Sequence, residues 1–140
     1  DRAWGSYRFQ AEIAACHARA RTPEETDWTR MVELYSQFSA ASGSPIVELN
    51  RAVAVSMASG PQAGLQIVDE LRSEPALKGY HLLPSVRGDL LYRLGRFGEA
   101  RAAFEAAAAL ADNKREHDLL ARRAAEAARA AMSSQFSSPV

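Results

Sequence analysis

Three residues of types that bind metals well stand out in the chain: Cys16, His17 and His81. A compact zinc site needs three or four ligands that converge on one point. Cys16 and His17 are adjacent on a predicted helix, so their side chains diverge by about 100°. No recognisable zinc-ligand spacing accompanies them. We therefore expect no metal site and no cofactor, and we interpret His81, at a predicted helix start, as a capping or hairpin-packing residue.

Nucleophilic catalysis has equally little support in the sequence. Ser6, Ser56 and Ser85 lack both the glycine-flanked turn of a hydrolase nucleophile and a matching histidine spacing. An enzyme would need titratable groups that converge in a pocket. We expect no catalytic residues and predict that the protein is not an enzyme.

Composition narrows the class of protein. The chain has 140 residues, 47% of them hydrophobic, and 17 basic residues balance 17 acidic ones. This favours one folded domain over a disordered chain, and the neutral total argues against a dedicated nucleic-acid surface. One cysteine and no long apolar run predict a reducing, cytoplasmic location without a membrane span. Because the chain begins at Asp1, we expect it to be a piece of a longer protein.

Periodic apolar positions predict an all-α protein. We expect one domain over residues 1–132, with a disordered tail over 133–140. Thr22 with Glu25, and Asn113 with Glu116, have the spacing of a capping box at a helix start. The seven predicted helices span 6–20, 27–41, 46–58, 62–72, 82–94, 97–111 and 114–132.

The stretch 88–113 resembles the tetratricopeptide repeat, a helix–turn–helix unit of 34 residues. Gly88 stands where two helices approach closely, and Gly95 ends the first helix. Ala100 is the small contact between the paired helices. Phe104 is the large packing residue of the repeat, and Ala107 is the small residue that faces the next helix.

A second, degenerate copy lies 35 residues earlier, where Gly60 takes the place of Gly95. Val53 there replaces the close-approach glycine. The first two helices form a third, more divergent hairpin, although "WTRMVELY" leaves open a register in which helix two begins a repeat. Such hairpins bury their apolar faces by stacking. We therefore predict a tetratricopeptide-like helical-hairpin solenoid of about seven helices, with a concave groove that binds peptides or helices of partner proteins.

Polar residues on the predicted inner face are the candidate partner-binding groove. Two interpretations stay open for this set: contacts to a partner segment, or an internal network that braces neighbouring hairpins. The candidates are Asn50, Arg51, Asp89, Tyr92 and Arg93.

Helices five and six also carry a run of arginines interspersed with Asp89 and Glu99. A contact with nucleic acid and a solvated face of alternating charge are both open, and the pattern favours the second. The run comprises Arg87, Arg93, Arg96 and Arg101.

One ordered series of segments is more specific than a generic helical repeat: "YRFQAEIAACHA", "TDW", "VELNRAVAV", "GYHLL" and "RLGR". With this series, residues 5–123 resemble the C-terminal extension of one group of bacterial extracytoplasmic-function sigma factors. That group carries a tetratricopeptide-like domain after its promoter-reading domains and is associated with DGPF-motif proteins.

The resemblance implies a regulatory, protein-binding role in transcription initiation. The implied partners are the promoter-reading domains in cis, the RNA polymerase core and a DGPF-motif protein. DNA would be contacted only through the promoter-reading domains, which this chain does not contain. Two alternatives stay open: a free-standing tetratricopeptide adaptor or scaffold that binds peptides or helices, and an auxiliary module that contacts nucleic acid.

Overall fold

The computed structural model describes residues 2–20 and 22–137. Within those ranges the structure is helical and contains no strand, with short 3-10 turns at Pro23–Glu25 and Pro75–Leu77. Neighbouring helices pack in pairs, which confirms the all-α, tetratricopeptide-like helical-hairpin class. The seven α-helices are α1 (Arg2–Arg19), α2 (Trp28–Ser42), α3 (Pro45–Ser59), α4 (Pro61–Leu71), α5 (Leu82–Arg93), α6 (Phe97–Leu110) and α7 (Lys114–Ser137).

The start of α2 differs from the predicted capping box. Thr22 opens a backbone turn instead, with its carbonyl accepting a hydrogen bond from the Glu25 amide at 3.0 Å. The cap is Asp27, whose side chain accepts a hydrogen bond from the Arg30 amide at 3.0 Å. Asp27 lies directly before the apolar-periodic run, where a side-chain acceptor can satisfy one of the free amides of the first turn.

Glycines end several helices in conformations that other residues rarely adopt. Gly43 follows α2 with φ of 63°, in the left-handed region. Gly60 and Gly95, the two turn glycines of the predicted repeat, have φ of 99° and 78°. A side chain at these positions would strain the backbone, so the hairpin turns depend on glycine.

The chain divides into two compact units, residues up to Ile67 and residues from Val68 onward. In the first unit, α2 packs against both α1 and α3. The rings of Phe9 and Phe38 stack with centroids 5.3 Å apart. Partly buried side chains pack around the core: Trp28, Val32, Tyr35 and Phe38. The core itself comprises Ile13, Cys16, Met31, Leu34 and Ala54.

A close approach between α3 and α4 occurs at Gly64 in the first unit. A Cβ atom at this position would lie 2.7 Å from Cβ of Ser56 and 2.8 Å from the carbonyl oxygen of Ala52. In the repeat pattern the small residue of this hairpin is expected on its first helix, where Val53 takes the position of Gly88. The structure places it on the second helix.

In the second unit α6 lies between α5 and α7 and packs against both. Phe104 fills the space between α5 and α6, and the chain permits this because Gly88 has no side chain. Ala100 and Ala107 are fully buried on α6, where small side chains let the neighbouring helices approach.

The end of α7 lies beyond the predicted boundary. Residues 133–137 are helical, where we expected the disordered tail to begin, and residues 138–140 lie outside the described ranges. No glycine or proline interrupts the chain between Met132 and Ser137, and extending a helix is easier than nucleating one. None of the described helices combines the length and apolar content that crossing a bilayer requires.

Candidate functional site

The predicted groove residues of the first unit lie on α3. Asn50 is exposed. Arg51 forms an ion pair with Glu48 one turn earlier. The other oxygen of Glu48 accepts a hydrogen bond from the Ser39 hydroxyl of α2 at 2.7 Å. Arg51 therefore belongs to a network that joins α2 to α3.

The groove residues of the second unit are also engaged within the fold. Asp89 on α5 forms an ion pair with Arg123 of α7. The Arg123 guanidinium lies 4.8 Å from the centre of the Phe104 ring. Tyr92 packs edge-on against Phe97, with centroids 5.1 Å apart. Asp89 thus braces α5 against α7, as one of the two interpretations expected, whereas the Tyr92 contact lies within the α5–α6 hairpin.

Arg87, Arg96 and Arg101 of the arginine run each have an acidic partner, which for Arg87 is Asp69 at 2.9 Å. Arg96 bonds Glu99 at 2.7 Å, and Arg101 bonds Glu105 at 2.9 Å. The hydrogen bond from Arg96 lowers the pKa of the Glu99 carboxyl, and the charges of Arg96, Arg87 and Arg72 lower it further. These pairings are those of a solvated face of mixed charge, and they leave less positive charge for phosphate contacts.

A recess in the second unit lies between the 72–80 connection and one face of α5 and α6. We call it the basic recess; its volume is about 660 Å³. Its lining includes the apolar residues Leu77, Leu83 and Ala106. It also includes the cations Arg72, Lys78 and Arg87.

The cations of the basic recess differ in how they are paired. Arg87 donates to Asp69 at 2.9 Å, and Arg72 lies 4.0 Å from the same carboxylate. Lys78 is exposed and forms no ion pair within the described part of the chain. Glu74 is the one acidic residue of the lining, and its carboxylate accepts from the Ala76 amide. The recess can therefore take up an apolar side chain and attract a carboxylate beside it.

Sequence reasoning missed this recess, and none of the five predicted groove residues lines it. The signal was in "SEPALKGY", the segment 73–80 between the fourth and fifth predicted helices, of which only Gly79 and Tyr80 were singled out, as part of "GYHLL". Its proline and glycine do interrupt the helices. The same segment also contributes Leu77 and Lys78 to the recess.

Of the residues considered for a metal site, Cys16 and His17 lie in the first unit and His81 lies in the second. Cys16 is buried in the core of the first unit, and the ring of exposed His17 lies edge-on to Trp28 at 6.0 Å. His81 precedes α5 without a side-chain capping hydrogen bond, so the capping role is wrong. Its Nε2 instead lies 3.5 Å from Oε2 of Glu116 in the first turn of α7. His81 thus contributes to packing within the second unit.

A Rhizobium meliloti (strain 1021) protein, described as uncharacterized, is 50% identical to the chain over 112 residues. The match covers 80% of the chain and 26% of that relative, so the chain spans about a quarter of the relative's length. No protein family matches the chain, and no solved structure matches it.

Proposed function

We propose that the chain is the regulatory protein-interaction domain of a bacterial extracytoplasmic-function sigma factor. In this role it acts in the cytoplasm, without enzymatic activity or a membrane anchor. Its partners are the promoter-reading domains in cis, the RNA polymerase core and a DGPF-motif protein. The observation that carries the proposal is the ordered series of five segments on helical hairpins of the tetratricopeptide type.

The positions of those segments support a role in both folding and recognition. "TDW" contains Asp27, the cap of α2. "VELNRAVAV" lies in α3, and "RLGR" spans the turn between α5 and α6. "GYHLL" supplies Gly79, Tyr80 and Leu83 to the basic recess. A generic helical repeat would need the helix and turn residues but not this recess.

The length of the relative also supports the proposal. The matched region is about a quarter of the Rhizobium protein, so most of that protein lies outside it. A regulatory extension requires such an arrangement, with other domains in the same chain.

In the proposed mechanism the basic recess binds an acidic amphipathic segment of a partner. An apolar side chain of that segment enters between Leu83 and Ala106, and a carboxylate pairs with Lys78. Binding changes transcription only if the recess binds one state of the sigma factor better than the other. A tenfold preference requires about 1.4 kcal/mol, which one or two good contacts supply.

Binding titrations test this proposal. The fluorescently labelled chain is titrated with RNA polymerase core, the promoter-reading domains and the DGPF-motif protein. We expect micromolar or tighter binding to at least one of the three. Lys78→Glu and Ala106→Glu should each weaken it about tenfold or more, because they introduce negative charge into the basic recess.

Ala109→Glu is the matched control, since Ala109 is also exposed on α6 but does not line the basic recess. Asn50→Ala combined with Tyr92→Ala tests the groove predicted from sequence. If only that double variant lost binding, the partner would contact the predicted groove and not the basic recess. Absence of binding to all three partners would refute the proposed function.

A free-standing adaptor could use the same recess for an acidic peptide. The reading frame upstream of Asp1 separates the two functions, because only a sigma factor has promoter-reading domains there. Direct contact with nucleic acid would appear as salt-dependent binding of promoter DNA to the isolated chain.

A further inference from the structure

Three potential metal ligands meet in the second unit: His81 from one part of the sequence, and Asp112 and Glu116 from another. One ligand atom of each lies within 4.8 Å of the other two. His81 directly precedes α5, Asp112 lies in the turn between α6 and α7, and Glu116 is in the first turn of α7. We propose that these three side chains bind a divalent transition-metal cation, for which Zn²⁺ is the probe.

The environment of Glu116 is the second observation that points to a cation. Its Oε2 is buried and has no hydrogen-bond donor within the described part of the chain. The Glu116 side chain is 41% exposed as a whole, so only this oxygen of its carboxylate lacks both solvent and a donor, and a cation is one partner that would satisfy it. The atom opposite is Nε2 of His81 at 3.5 Å, and the His81 side chain is only 14% exposed. A metal ion bound by both atoms would satisfy the oxygen and use the imidazole in its neutral form.

The local backbone holds two of the ligands in place. Asn113 caps α7 by accepting a hydrogen bond from the Glu116 amide at 2.8 Å. This bond fixes the turn that carries Asp112 and the helical position of Glu116.

Ligand chemistry selects the class of metal. One imidazole nitrogen and two carboxylate oxygens suit Zn²⁺ and its neighbours, whereas Mg²⁺ and Ca²⁺ prefer oxygen ligands alone. Two carboxylates also balance the charge of a divalent ion. Tetrahedral zinc holds its ligand atoms roughly 3.3–3.6 Å apart, given metal–ligand bonds of about 2.0–2.2 Å. The side chains must therefore close by about 1 Å, which rotation of the exposed Asp112 allows.

A metal at this position would join the start of α5 to the start of α7. Because the metal would bind only the folded chain, it would stabilise the second unit by an amount that rises with the logarithm of the metal concentration above the dissociation constant. This property is independent of the proposed role in transcription, because it concerns residues that do not need a protein partner.

The test uses the whole chain, stripped with a chelator and dialysed. Thermal unfolding is followed by circular dichroism with and without Zn²⁺, and calorimetry gives the stoichiometry. We expect one Zn²⁺ per chain and a melting temperature that rises with Zn²⁺ but not with Mg²⁺. His81→Gln, Asp112→Asn and Glu116→Gln should each weaken Zn²⁺ binding by at least about tenfold.

His17→Gln and Glu24→Gln are the controls, since both residues are exposed and lie outside the cluster. They should bind Zn²⁺ as the wild type does. Asp112→Asn changes an exposed side chain and keeps the test valid if His81→Gln fails to fold. The proposal is overturned if Zn²⁺ neither binds nor shifts the melting temperature, or if all three variants bind it as tightly as the wild type.

Discussion

Substitution of Gly88 tests the contact that brings α5 and α6 together. A Cβ atom at Gly88 would lie 2.8, 2.9 and 3.0 Å from three carbons of the Phe104 ring. Ordinary contacts between carbon atoms are about 3.5–4.0 Å, so the ring must move by roughly 0.5–1 Å. Phe104 is fully buried and therefore has little room to move.

Two effects of Gly88→Ala oppose each other. Overpacking a core costs about 1–3 kcal/mol, whereas alanine is more favourable than glycine inside a helix by up to about 1 kcal/mol. The net change in unfolding free energy should be a loss of about 0–2 kcal/mol. Gly88→Leu should lose 1–3 kcal/mol or more, because it adds three further carbons at the same place.

Gly98→Ala is the matched control. Gly98 also lies in a helix, α6, and a Cβ atom there would have no neighbour within 4 Å. The difference between the two alanine variants in urea unfolding isolates the clash, and we expect it to be about 1–3 kcal/mol. Replacing Phe104 with leucine in both backgrounds should reduce that difference. Equal stabilities of Gly88→Ala and Gly98→Ala would refute the packing argument and the assignment of Gly88 in the repeat.

Three further predictions concern stability. Gly64→Ala should reduce the unfolding free energy more than Gly88→Ala does, towards the upper end of about 1–3 kcal/mol. Its Cβ meets the Ala52 backbone at 2.8 Å, and a wild-type urea midpoint would contradict this. Arg123→Ala should lower the unfolding free energy by roughly 1 kcal/mol, because it removes the exposed ion pair with Asp89 and the contact with the Phe104 ring. Asp89→Asn should lower the unfolding free energy by less than Arg123→Ala does, because it removes only the ion pair. An equal or greater loss of unfolding free energy would contradict the stabilising contact between Arg123 and the Phe104 ring. Glu99 has a lowered pKa in the folded state, chiefly through its hydrogen bond from Arg96. Its stabilising contribution should therefore be present at neutral pH and lost as the pH falls below about 4.3 and through the folded-state pKa. Melting temperatures of the wild type and Glu99→Gln should converge in that acidic range, and a constant difference would contradict the shift.

Much of the fold could be predicted because its determinants are local. Glycines and prolines placed the helix boundaries within a few residues, and apolar spacing gave the inward faces. Gly88 and Phe104 could each be assigned a role because the repeat fixes their positions, but their direct contact was visible only in the folded chain. Asp27 was missed as a cap because Thr22 and Glu25 satisfied the same pattern five residues earlier. The end of α7 was missed because the polar composition of 133–137 outweighed the absence of a helix breaker.

The site was less predictable because its residues come together only in the folded chain. Lys78 lies in a connection and Ala106 on a helix 28 residues later, and no sequence pattern links them. His81 and Glu116 are 35 residues apart, so their approach depends on the packing of α5 against α6 and α6 against α7. Arg123 drew no attention in the sequence, yet it binds Asp89 and covers the Phe104 ring.

Run-off transcription tests the central claim most directly. Genomic DNA is transcribed by RNA polymerase core with the full product of the gene that encodes this chain, and with the same product lacking residues 1–140. The account predicts promoter-specific initiation by the full product and an altered level of initiation, about tenfold or more, after the deletion. A full product that directs no initiation, or a deletion that leaves initiation unchanged, would contradict it.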